Sequence, residues 1–256
     1  MPDRGVSNIK ALLAVLIVAV LVGSAVIVYL HNADNTDRGD GTGDSYNWIY
    51  QGVEFRLGLN LNYNLLAYYD PDNVERVPDS NSDSRGSNII DYVMADADNL
   101  DVIKQLSESL IRLYHDAYGT DTLGQGYADF VLSFIRSNFN YELDFFMYGM
   151  PDYMALPIET LLKGAGDLED LSVLYATLLY ASGYDVGIIV YKNHAMASVK
   201  LDSFEISNNG YHLSCMEHNS EKYYGCETTP GAYCPVGYAD HDLIGDIDTA
   251  ILYANE

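Results

Sequence analysis

Basic residues are scarce in this sequence: 13 Lys and Arg stand against 37 Asp and Glu, and a net charge of −24 repels polyanions, which excludes DNA or RNA as a partner. Cysteine is scarcer still. Cys215, Cys226 and Cys234 are the whole complement, all in the last quarter of the chain. No disulfide scaffold can hold the fold, although one pair among the three is compatible with an oxidising location, and an odd number leaves at least one thiol unpaired. The spacing of Cys215, His218, Cys226 and Cys234 matches no common zinc pattern, so neither metal nor cofactor is expected. The sequence also lacks a G-x-S-x-G elbow, a G-x-x-x-x-G-K-[ST] phosphate loop and an H-E-x-x-H helix, which removes the hydrolases, nucleotidases and metalloproteases built on them. With 48% hydrophobic and 20% charged residues, the chain has what a globular core needs.

One long apolar run is present. Ala11 to Leu30 contains no charged residue, and at about 1.5 Å per residue it would span roughly 30 Å of hydrocarbon as a helix. It exceeds the apolar region of a cleaved signal peptide, so a retained single-pass anchor is expected over 1–31. Arg4 and Lys10 precede it, whereas Asp34, Asp37 and Asp40 follow, which puts the N-terminus in the cytoplasm and the rest of the chain outside the cell membrane. Residues 32–46 are polar and rich in Asp, Asn and Gly, the composition of a flexible linker. A folded extracytoplasmic domain then occupies 47–256, with its core over about 99–240.

The domain opens on a strand pattern, because Val53, Phe55, Leu57, Leu59, Leu61 and Tyr63 alternate with mostly polar residues. A helical stripe follows at Ile103, Leu106, Leu110, Leu113, Tyr114 and Ala117, with Gly119 placed to end it, and a second at Leu123, Tyr127, Phe130, Val131, Phe134 and Ile135. Pro157 suits the first turn of a short helix, and Asp167 with Asp170 suits the cap of a longer one ending near Gly183. VGIIVY and AMASVKL read as strands, and YHLSCM with KYYGCE as a hairpin across His218 to Glu221. Helices followed by antiparallel strands predict an α+β domain.

The segment from Pro157 to Asp170, PIETLLKGAGDLED, is followed by a leucine-rich helix ending in Gly183-Tyr184. Two further segments come in order: NHAMASV, in which His194 opens a strand, and YYGCETTPG, which contains Glu227. Together they resemble the transglutaminase-like superfamily, in particular its prokaryotic membrane-linked members, over roughly Phe130 to Tyr238. The resemblance implies a papain-like core, helices packed on an antiparallel sheet, and a triad of Cys, His and acid in which His194 and Glu227 fill the last two places.

Leu168 stands where the resemblance puts the nucleophilic cysteine. A leucine has no lone pair and no titratable proton, so the thiol route is lost, and Leu168 is expected to plug the old site against Leu171, Leu174, Tyr175 and Leu178. What the resemblance then implies is a catalytically inactive pseudoenzyme that binds a peptide or protein in the former active-site groove. Two alternatives stay open. One is a living acyltransferase or peptidase with a relocated nucleophile, drawn from Ser172, Ser198 or Cys226. The other is a purely structural envelope protein. Asp167, Glu169 and Asp170 read as cap and dipole complements, and Glu159 as an aid to helix geometry.

Overall fold

The computed structural model describes residues 27–29, 44–62, 64–65, 93, 97–191, 194–207, 210–231, 234–240 and 247–255. Strands β1 (Ile27–Tyr29), β2 (Asp44–Tyr50) and β3 (Val53–Leu59) form one small sheet in the order β1-β3-β2. Among the described residues, helices follow at α1 (Ala97–Tyr118), α2 (Gln125–Asn138), α3 (Asp144–Tyr148), α4 (Pro157–Lys163) and α5 (Leu168–Ala181). Between them, β4 (Asn140–Tyr141) pairs in parallel with β5 (Ala165–Gly166). Strands β6 (Val186–Tyr191), β7 (His194–Lys200), β9 (Cys215–His218), β10 (Glu221–Cys226) and β12 (Ile247–Tyr253) build a five-stranded antiparallel sheet, ordered β12-β6-β7-β10-β9, while β8 (His212–Leu213) pairs with β11 (Tyr238–Ala239). The expected α+β class is observed.

The two helical stripes lie on α1 and α2, with Ile103, Leu106, Leu110 and Leu113 of α1 and Tyr127, Phe130, Phe134 and Ile135 of α2 fully buried. Gly119 ends α1 at φ 63°, its N–H donating to the His115 carbonyl at 2.7 Å, a left-handed position that glycine takes at no steric cost. The predicted hairpin is β9–β10, and Asn219 and Ser220 at φ 51° and 67° supply the turn that matches the twist of its strands.

Helix α5 is central. Every residue from Asp170 to Leu179 is buried, because α5 meets α1, α2 and α4 as well as β6 and β7. A helix enclosed on all sides is largely apolar all round, and from Leu171 to Leu179 its buried hydroxyls, those of Ser172, Tyr175 and Thr177, are all hydrogen-bonded. Tyr175, wholly buried, donates its hydroxyl proton to the Ala128 carbonyl at 3.0 Å, tying α5 to α2. The core continues into the first sheet, where Trp48 stacks on Phe55 at 5.3 Å and meets Phe134 edge-on at 5.1 Å. Such pairs contribute about 0.5–1.5 kcal/mol beyond burial.

The structure moves one expected boundary. Strand β2 begins at Asp44, inside the stretch expected as linker, and Tyr46, Trp48 and Tyr50 alternate into the core. The expected membrane span lies outside the described residues except for Ile27–Tyr29. Those three form a strand in parallel register with Glu54–Arg56 rather than the end of a helix, as β-branched and aromatic side chains favour. Among the described residues, no helix is long and apolar enough to cross a membrane. All three cysteines are free, Cys215 exposed and Cys226 and Cys234 buried, so none is in a disulfide.

Candidate functional site

The site is built on the N-terminus of α5. Asp167 caps the helix, its Oδ1 accepting from the N–H groups of Glu169 at 3.1 Å and Asp170 at 3.2 Å, and Asp170 Oδ2 accepts in return from the Asp167 N–H at 3.4 Å. This capping box leaves Leu168 as the first helical residue. Glycine is required just before it. A side chain at Gly166 would put its Cβ 2.7 Å from Asp170 Cβ and 3.2 Å from Thr160 Cγ2. Leu168 itself is only half-buried, whereas Leu171, Leu174, Tyr175 and Leu178 are wholly enclosed. It is therefore at the rim and not the core plug that was expected, since on the first turn of α5 burial becomes complete only from Asp170 onward.

His194 opens β7, and Glu227 follows the last residue of β10. The register pairs Cys226 with Ala197, so its continuation sets Glu227 diagonally across from His194. The Nε2 of His194 lies 2.7 Å from Glu227 Oε2, with both side chains almost wholly buried. The second carboxylate oxygen, Oε1, accepts from the backbone N–H of Thr229 at 2.9 Å and from its hydroxyl. Arg136 donates to the Glu227 carbonyl and so holds the loop from behind. Burial alone would raise the Glu227 pKa, but the bond to His194, the imidazole's charge and the Thr229 donors together hold it below its ordinary value. The imidazole also acts on the helix: its charge draws the Glu169 pKa downward against burial and the Asp167 charge. His194 is thus within electrostatic reach of the residue next to Leu168.

The side chains considered as relocated nucleophiles are enclosed. Ser172 is fully buried, its hydroxyl 3.1 Å from that of Thr228. Ser198 is fully buried in the central strand β7. Cys226 packs into the core, and burial first, with the Asp129 charge after the opposing Tyr175 bond, pushes its thiol well above the ordinary range. A nucleophile must reach its substrate, and none of these three does.

Sequence reasoning missed a cluster of acids beside the cap. One oxygen each of Asp144, Asp167 and Asp170 lies within 4.8 Å of the others. These carboxylates also hold the segment before α4. The Tyr153 N–H donates to Asp144 Oδ2 at 2.7 Å, the Ala155 N–H to Asp170 Oδ1 at 2.7 Å, and the Leu156 N–H to Glu159 Oε2 at 2.8 Å, while the Tyr153 hydroxyl reaches Glu159 Oε1 at 2.7 Å. Glu159 therefore serves helix geometry, as expected. Asp144 Oδ1 has no hydrogen-bond donor although the residue is only 4% exposed. It faces the Asp167 carboxyl, which can satisfy it only by carrying a proton. Burial, with the Asp167 charge second, raises Asp144 to about 7 and Glu169 to about 7, and raises Asp170 as well. Buried like charges resist ionising together, so the cluster calls for protons or for a hard cation, which these oxygen donors suit.

Two clefts, of about 350 and 580 Å³, lie elsewhere. The larger runs among Ile49, Gln125, Ser133, Arg136 and Glu205 and includes none of Leu168, His194 or Glu227.

No family model matches the chain, and neither does any curated protein. Among solved structures, Legionella pneumophila LapG is similar at 18% identity with a TM-score of 0.28, over 53% of this chain and 79% of that one. Its calcium-bound form is similar at 18% identity with a TM-score of 0.31, over 57% and 78%.

Proposed function

We propose that this chain is a pseudoenzyme of transglutaminase-like design, held at a membrane by the apolar stretch that starts at Ala11, with its folded domain outside the cytoplasm. The observation that carries the reading is the His194–Glu227 pair, buried and bonded at 2.7 Å, which serves an imidazole that has no nucleophile to deprotonate. A buried imidazole needs a partner in any fold, and here the partner is a carboxylate itself held by Thr229 and Arg136, the arrangement that would orient a catalytic base. The burial of Ser172, Ser198 and Cys226 counts against a living enzyme. The face around Leu168 then binds an extended peptide without cleaving it.

The test is a peptide panel titrated against the full chain in a nonionic detergent. Peptides that bind with dissociation constants below about 1 mM, remain uncleaved, and lose affinity when Leu168→Trp fills the face support the reading. Cleavage by the wild-type chain, or the absence of any affinity, contradicts it.

A second reading is favoured by the buried Asp144 Oδ1. The acidic cluster takes a divalent cation of the calcium type, for which oxygen ligands at about 2.3–2.6 Å are suitable, in place of shared protons. Calcium should then raise the thermal midpoint at about pH 8 but leave Asp144→Asn unchanged. An equal shift in both proteins would contradict it.

A further inference from the structure

The segment from β4 to α3 leaves four large apolar side chains in solvent: Tyr141, Leu143, Phe145 and Phe146 are 44, 48, 63 and 71% exposed. A contiguous exposed patch of this kind marks an interaction surface. The two phenylalanine rings meet edge to face at 5.6 Å, which presents their outer faces rather than hiding them. Strand pairing fixes where the patch sits. Tyr141 is paired with Gly166, and the Glu142 N–H donates to the Gly166 carbonyl at 3.1 Å, so the patch borders Asp167 and Leu168 directly.

Its chemistry is selective. Glu142 is exposed, Glu169 and Asp167 are half-buried, and Asp144, next to Phe145 in the chain, is buried. The Tyr141 pKa is raised by burial and then by the charges of Asp167, Glu169 and Asp144, which puts the phenol among three carboxyl groups. Aromatic faces beside carboxylates attract cations. The same helix already shows the interaction, since the Lys163 ammonium lies 4.6 Å from the centre of the Tyr148 ring. An anionic partner or an anionic lipid surface would meet repulsion here and across a chain of charge −24.

We propose that the Tyr141–Phe146 surface docks an extended peptide containing Lys or Arg beside an aromatic or aliphatic residue, with the cation over Phe145 and Phe146 and the chain running toward Leu168. This rests on the peptide-binding reading above and names its partner class. A Lys or Arg side chain supplies both what the rings and what the carboxylates take, and its aliphatic stem covers apolar surface.

The experiment uses the full chain in nonionic detergent and three fluorescein-labelled peptides by fluorescence anisotropy: Gly-Lys-Tyr-Lys-Gly, and the same peptide with both Lys replaced by Ser or by Glu. The Lys peptide should bind at least ten-fold more tightly than the Ser peptide and lose affinity as salt rises, while the Glu peptide should not bind. Phe145→Ser with Phe146→Ser should weaken the Lys peptide about ten-fold; both positions are exposed, and unchanged circular dichroism will verify folding. Binding that is lost in Leu168→Trp but indifferent to the Phe pair and to peptide charge would overturn this inference and leave the groove reading standing. Loss only in the Phe pair would keep the docking surface and remove the groove. Absence of binding by every peptide would overturn both, as would Phe-dependent self-association or vesicle binding in place of peptide affinity.

Discussion

Ser172 Oγ lies 3.1 Å from Thr228 Oγ1, a hydrogen bond between two fully buried hydroxyls that ties the second turn of α5 to the residue following Glu227. The helix whose first residue is Leu168 and the loop that holds His194 are thereby fastened to each other. Ser172→Ala should cost about 1–3 kcal/mol, because Thr228 is left without its partner in a buried place. Urea denaturation measures this. A serine-reactive fluorophosphonate should not label the wild-type chain, since the Ser172 hydroxyl is enclosed.

The His194–Glu227 pair should be a substantial element of stability. His194→Ala leaves Glu227 buried with only Thr229 to bond its side chain, and breaking a buried pair in this way costs about 3–5 kcal/mol. Denaturant midpoints of the variant and wild type give the answer. A loss below about 1 kcal/mol would indicate that the pair is loosely held.

Acid groups of opposite behaviour shape the pH dependence. Asp144 and Glu169 rise from 3.8 and 4.5 to about 7 on folding, so the native chain holds protons that the unfolded chain has released. Their contribution is complete below the ordinary carboxylate range and is lost as pH rises toward 7. Glu227 is held below its ordinary 4.5, and its contribution is present above that value and lost on acidification. Thermal midpoints in chelator should therefore peak at mildly acidic pH and fall on both sides. Asp144→Asn should flatten the fall between about pH 5 and 7, and a midpoint that still declines equally would contradict the assignment.

Much of this organisation is legible in the residues themselves. The cap at Asp167, the leucine-rich α5 and the hairpin at Asn219-Ser220 each follow from local chemistry, and the GAGD, HAMASV and CETTP segments locate Leu168, His194 and Glu227 in advance. The start of strand β2 is not legible, because Asp44 and Ser45 read as linker and the turn places Gln51 rather than Asn or Gly at φ 49°. Helix α3 has only five residues, too few to show a period, and its rings face solvent. The acidic cluster escapes because Asp144 reaches Asp167 and Asp170 only through the tertiary fold, with the β4–β5 pairing between them. The rim position of Leu168 depends on how the tertiary fold encloses the start of α5, which no local pattern encodes.

The central claim is that an enzyme-like frame surrounds a missing nucleophile, and the reactivity of a thiol placed at residue 168 tests it most directly. A helix N-terminus and a nearby imidazolium both favour thiolate and can bring a cysteine to about 3.5–7.5. Leu168→Cys should be made with Cys215→Ser, which removes the exposed native thiol. Cys226 and Cys234 stay silent, since burial pushes both upward, Cys234 to about 12. At about pH 6 the new thiol should react with iodoacetamide at least ten-fold faster than Cys215 in the wild-type chain, and His194→Ala should remove most of that advantage. A rate no faster than that of Cys215, or one unchanged by loss of His194, would contradict the account.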